Sequence, residues 1–195
     1  MKLLGTRRKR AALAGETSAV CRFGKDKSGG TAVEFAVLAI PFILLVFAIM
    51  ESAISFAAQQ AVANATDDVA RQLRTGQIKR SISETDLRQR ICDDMSVMVQ
   101  AGCPGMVFDL RQFSTFAEAA NYRFRINNGA LQLMNGNAPD NRRYDPGAST
   151  TKNMLRVFYE WPLITDIMRK RLASLSDGNT LLTATAIWQN EPFDD

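Results

Sequence analysis

Glu34 is the side chain whose position most needs a chemical explanation. It is the one charge in residues 32–50, AVEFAVLAIPFILLVFAIM, a run otherwise made of alanine, large apolar residues and one proline. A carboxylate at the centre of an apolar helix in lipid costs about 2.5–3.5 kcal/mol, and less near the interface. Glu34 lies about one turn inside the run, so the cost is partial but a partner is still needed. Either the carboxylate reaches back to interfacial water or Lys27, or the partner comes from another chain. Two glycines, Gly29 and Gly30, stand just before it. Other reactive residues are few. Histidine is absent, which removes the usual base near neutral pH and the commonest metal ligand. The three cysteines, Cys21, Cys92 and Cys103, have no C-x-x-C spacing, so a metal site is not expected. The sequence offers no nucleophile–base pair and no phosphate loop. No enzymatic activity, no cofactor and no small-molecule substrate is therefore expected.

The element that must position Glu34 is a helix. Nineteen residues at 1.5 Å each span about 28 Å, close to the hydrocarbon thickness of a bilayer. A buried core helix and a cleaved secretory signal are the competing readings. The dense cluster PFILLVFAI and the mildly apolar continuation through Ala61 favour a span over a core helix. A signal peptide would have a shorter apolar region and a small-residue cleavage site after it. The span is placed at about residues 31–55, with Pro41 expected to kink it. Charge sets the direction. Residues 1–29 hold eight basic and two acidic side chains, a net of +6, while the whole chain carries +4. A basic head can meet nucleic acid, but beside an apolar helix it is read as cytoplasmic, with no nucleic-acid partner. The expected protein is a single-pass inner-membrane protein with its N-terminus in the cytoplasm and its C-terminal domain in the periplasm.

The stretch Ser28-Gly29-Gly30-Thr31-Ala32-Val33-Glu34-Phe35 resembles the processing site of type IV pilins and pseudopilins. In those proteins a prepilin peptidase cuts after a glycine, leaving glutamate at the fifth position of the mature chain. Cutting between Gly29 and Gly30 places Glu34 at that position, followed by Phe35. More specifically, SGGTAVEFAVLAIPFILLVFAIMESAISFAAQQAVANATDDVAR resembles the TadE-like family of tight-adherence pilus proteins. The second glutamate, Glu51, and the polar continuation to Arg71 belong to that likeness. Tyr159-Glu160-Trp161-Pro162 and Asn190-Glu191-Pro192-Phe193 look like patterns of its alphaproteobacterial branch. The resemblance implies that Gly29 and Gly30 form the processing site and that Glu34 and Phe35 serve assembly and recognition. It also implies the membrane, the peptidase, other pilin or pseudopilin subunits and pilus assembly proteins as partners. A new ammonium on Gly30 could then pair with Glu34 of a neighbouring copy, neutralising an expensive charge.

Beyond the membrane the fold class expected is α+β, with a mainly antiparallel sheet. The long helix should continue to about residue 80, with Ile54, Ala58, Ala61, Ala65, Val69 and Leu73 along one face. The domains are thus residues 1–29 as leader, 30–80 as helix and 81–195 as the distal α+β domain. A second helix is expected from Ser83 or Glu84 to Val99, opened by the cap Ser83-x-x-Asp86. Strands are expected at Met106–Phe113, at Tyr122 to Met134 as a hairpin turning on Asn127-Asn128-Gly129, at residues 154–161 and at residues 181–188. Residues 135–151 read as loop and residues 163–175 as a helix. The pairs Asp93-Asp94 and Arg142-Arg143 read as solvated charges. Cys92 and Cys103, eleven residues apart on the oxidising side, could form a disulfide contributing about 2–3 kcal/mol, or remain as two buried thiols. Cys21 would stay with the leader.

Two functions follow. The first is a pilin-like minor subunit that takes part in assembling a tight-adherence pilus. The alternative is a membrane-anchored extracytoplasmic binding or sensor module that is never processed.

Overall fold

Alanine, valine and β-branched spacing over residues 51–74 give a helix one apolar stripe, and the structure buries that stripe against a sheet. The computed structural model describes residues 29–193. Cys21 and all of the basic head except Gly29 lie outside the described residues. The chain divides into two units, Met1–Phe47 and Ala48–Asp195.

In the first unit the described residues are the opening of helix α1, which runs Gly30–Arg74. Pro41 sits inside it. It has no N–H to give the carbonyl of Val37, yet the helix continues through it. No residue from 30 to 50 is buried. Its large side chains Phe35, Leu38, Phe42 and Phe47 are all exposed. This segment is long and apolar enough to cross a membrane.

In the second unit, α1 buries Glu51, Ala58, Val62, Ala65, Thr66, Val69, Ala70 and Leu73. The expected stripe is correct at Ala58, Ala65, Val69 and Leu73, whereas Ile54 is exposed. Thr66 is accommodated because its hydroxyl donates to the carbonyl of Val62 at 2.7 Å. Helix α2, Glu84–Met95, begins at Ser83, whose hydroxyl accepts the N–H of Asp86 at 3.1 Å. It ends earlier than the sequence suggests, and residues 96–98 form turns.

Two antiparallel sheets follow. The first has the order β1–β5–β6, from Met106–Phe113, Lys152–Trp161 and Thr180–Gln189. The second has the order β2–β3–β4, from Tyr122–Asn127, Ala130–Asn135 and Ala138–Asp140. The β2–β3 turn places Asn128 and Gly129 at φ of 52° and 72°, the left-handed pair that Asn-Gly favours in a two-residue hairpin. Strand β4 lies within residues 135–151, where composition predicts only loop. A one-turn helix α3, Phe116–Ala119, and helix α4, Asp166–Leu172, complete the set. Helix α4 is shorter than residues 163–175, because Leu163 is buried and Thr165 is the N-cap.

In the central strand β5, alternate residues serve two layers. Leu155, Val157 and Tyr159 join the core containing Val62, Val69, Leu87, Ile91 and Phe108. On the opposite face Phe158 meets Phe124 of the second sheet edge-on, with ring centroids 5.2 Å apart. Packing on both faces is why β5 is buried without a break from Asn153 to Tyr159, the polar Asn153 and Arg156 included.

Candidate functional site

Gly29 occupies the turn before α1, and Gly30 is its first residue. A Cβ added at either glycine would meet nothing within 4 Å. The bond between them therefore lies at the mouth of a helix, unobstructed by any other described residue. Glu34 stands one helical turn further on, four residues from Gly30, and so shares its face. Glu34 and Phe35 are both exposed. Among the described residues no cation pairs with Glu34.

Glu51 contrasts with it. Its side chain is only 7% exposed. One oxygen accepts the N–H of Ile164 at 2.5 Å and that of Thr165 at 3.2 Å; the other accepts the Thr165 hydroxyl at 2.5 Å. The carboxylate so takes up backbone donors at the start of α4, which have no partner within that helix. Two further polar contacts hold α1. The Gln59 side-chain amide pairs with Thr183 on the edge strand β6, donating to its carbonyl at 2.8 Å and accepting its N–H at 3.3 Å. The carbonyl of Arg74 accepts the N–H of Glu191 at 2.9 Å. Gly76 leaves room for the Phe193 ring, since a Cβ there would lie 2.8 Å from Phe193 Cγ.

The two carboxyl-proximal motifs now have physical roles. Tyr159-Glu160-Trp161-Pro162 ends β5 and leads directly into the loop that seats Glu51. Asn190-Glu191-Pro192-Phe193 closes the far end of α1. Asn190 is buried, accepting from Trp188 Nε1 at 2.7 Å and donating to the carbonyl of Ala148 at 2.8 Å. Sequence reasoning missed the intrachain role of Glu51. The signal that could have found it is a carboxylate directly after an apolar run.

Cys92 and Cys103 are joined by a disulfide, with Cα atoms 5.8 Å apart. Arg88, one turn before Cys92, donates to the carbonyls of Met106 at 2.6 Å and Cys103 at 3.0 Å. Both links tie α2 to the start of β1.

The remaining concentration of charge lies between the two sheets, where Asp109 and Arg111 are buried. Arg111 Nε donates to both oxygens of Asp109 at 2.9 and 2.7 Å. Its Nη1 donates to Asp140 and its Nη2 to the carbonyl of Asn141, each at 2.6 Å. Burial pulls the Arg111 pKa down, but the hydrogen bonds and charges of Asp109 and Asp140 outweigh it and the net shift is upward. The Arg111 hydrogen bond in turn holds the Asp140 carboxyl below its usual range. With its partners so committed, this cluster is a clamp between the sheets rather than a reactive centre. Arg142 and Arg143 are exposed, as expected of solvated charges, and border the same region. Arg142 pairs with Glu84 and lies 6.0 Å from the Phe108 ring centroid. The N–H of Arg143 donates to Asp109 at 2.8 Å. Burial, and then the charges of Glu84 and Asp86, push Tyr144 up to about 12, and its hydroxyl donates to the carbonyl of Ile82 at 2.8 Å. Among the described residues no three His, Cys, Asp or Glu side chains are grouped to hold a metal ion.

No curated protein and no solved structure matches the chain. Residues 29–71 match the family model described as TadE-like protein. That match starts at the exposed glycine pair and takes in Glu34, Glu51, Gln59 and most of helix α1. Over residues 29–71 the chain is similar to the TadE-like family.

Proposed function

We propose that this chain is a minor pilin-like subunit that takes part in assembling a tight-adherence pilus. A prepilin peptidase removes residues 1–29 on the cytoplasmic side, and Gly30 becomes the mature N-terminus. The observation that carries this reading is the combination at the start of α1: an unhindered glycine pair at the helix mouth, then an exposed Glu34 without a cation among the described residues, on an otherwise apolar segment. A carboxylate there is stabilised once a neighbouring subunit brings a cation, and the ammonium released on Gly30 supplies one in the right register. The span, at about residues 31–55, packs in the bilayer against lipid or neighbouring copies, and the α+β domain lies in the periplasm. Glu34 and Phe35 are the recognition residues.

Intact-mass measurement on protein purified from membranes tests the processing step. The expected mass lacks residues 1–29, and Gly29→Ala restores the full-length mass. A full-length protein whose mass is indifferent to Gly29→Ala and to loss of the peptidase would overturn the reading in favour of an unprocessed membrane anchor.

A further inference from the structure

Helix α4 has no buried residue. With the loop before it, α4 exposes Ile164 (77%), Ile167 and Leu172, and it carries three consecutive cations, Arg169, Lys170 and Arg171. Arg169 is partly engaged, donating to Asp166 at 3.3 Å and to the carbonyl of Leu163 at 3.0 Å. Among the described residues neither Lys170 nor Arg171 has an ion-pair partner. Such a segment in water would gain nothing from its isoleucines.

Its position along α1 supplies the reason. The loop is bolted to Glu51 through Ile164 and Thr165, and Glu51 directly follows the apolar run. Exposed apolar surface on α1 continues beyond Glu51 through Ile54 to Phe56, which is 75% exposed. Phe56 is about 7.5 Å further along the helix axis than Glu51. The loop is therefore fastened to α1 at a level where the helix itself still presents lipid-compatible side chains. Glu51, which would be costly at that level if bare, is covered by the same loop.

We infer that residues 164–172 form a membrane-surface foot: Ile164, Ile167 and Leu172 enter the headgroup–acyl boundary of the leaflet, and Lys170 and Arg171 bind anionic headgroups. Apolar side chains beside unpaired cations are the pattern of an interfacial segment, and each cation near an anionic surface adds to the attraction. The inference rests on reading residues 31–55 as the span. It goes beyond the pilin assignment by giving the distal domain its own lipid contact, which fixes its height and orientation on the bilayer before assembly.

The full chain carrying Cys21→Ser, reconstituted in vesicles of phosphatidylcholine with phosphatidylglycerol, provides the test. Cys92 and Cys103 remain bridged, so a fluorophore can be attached to Ile167→Cys or, as reference, to Val97→Cys on the exposed turn after α2. Brominated acyl chains should quench the label at 167 several-fold more than at 97. Lys170→Glu with Arg171→Glu should reduce that quenching in phosphatidylglycerol vesicles and have little effect in phosphatidylcholine alone. Equal access of aqueous iodide to both labels would overturn the inference. So would shielding at 167 that follows the protein-to-lipid ratio and ignores bromine, because a second copy would then be the occupant. Alkaline carbonate extraction of the same vesicles reads the span separately. Release of the protein overturns span and foot together, whereas retention with an iodide-accessible label overturns the foot alone.

Discussion

From residue 30 to 50, helix α1 buries nothing against its own chain; from Glu51 to Arg74 it buries eight side chains. Both stretches belong to one α-helix, so the difference lies in which residues face where. Residues 30–50 carry large aliphatic and aromatic groups on every side, the composition of a helix meant for an apolar solvent or for other helices. Residues 51–74 carry a narrow stripe of alanine and valine that lets the helix approach a sheet, with polar residues elsewhere. The two glutamates repeat the contrast. Glu34 is open, whereas Glu51 has spent both oxygens on the loop before α4. The first stretch is left open by the described residues, and the second is packed into them.

Substitutions that exchange these roles should show the largest effect. Leu73, 2% exposed in the domain core, should cost about 2–5 kcal/mol when changed to alanine. Leu38→Ala, at a position 71% exposed, should stay within about 0.5 kcal/mol in the same denaturant titration in detergent. Comparable losses at both positions would erase the distinction. Next in size is the disulfide. Reduction, or Cys103→Ser, should lower domain stability by about 2–3 kcal/mol for so short a loop, seen as a lower melting temperature by near-ultraviolet circular dichroism. Insertion of residues 30–50 should be unchanged.

Much of this division was legible in the sequence because it rests on local pattern. The apolar run, the Ser83 cap, the Asn-Gly hairpin and the β1 and β5 strands all follow from spacing and turn chemistry, and each is present. Burial on the second face of the sheet was not legible. Asp109, Arg111 and Arg156 alternate with apolar residues as solvent-facing groups would, yet each is at most 3% exposed. They are covered because residues 122–145 return across that face, where Tyr122 and Asn141 provide carbonyls for the guanidiniums. Contacts between residues so far apart in sequence leave no periodic trace. The same holds for Glu51, whose partners lie more than a hundred positions away.

Removing a side chain at each glutamate sharpens the comparison further. Glu51→Ala leaves the N–H groups of Ile164 and Thr165 without their acceptor, at a cost of about 1–3 kcal/mol, with faster amide exchange confined to the loop and α4. Glu34→Ala should leave domain stability and exchange untouched. The smallest expected effect is a pH dependence. The Asp140 carboxyl titrates below its usual value because Arg111 bonds its charged form. Its contribution is therefore fully present above the unfolded-state value near 4 and is lost as pH falls through the lower, folded value. Stability in urea should decline over that acidic interval. Asp140→Asn should be less stable at neutral pH and flatter below about pH 4, and an unchanged slope would detach Asp140 from the clamp.

The central claim, that the open half of α1 is completed by another subunit, is tested most directly by zero-length carbodiimide cross-linking. Membranes containing a mixture of isotopically light and heavy copies would be treated, digested and examined by mass spectrometry. The expected product joins the α-amine of Gly30 to the carboxylate of Glu34 in hybrid light–heavy pairs. Products joining Glu34 only to Lys27 of its own uncut chain would contradict the claim.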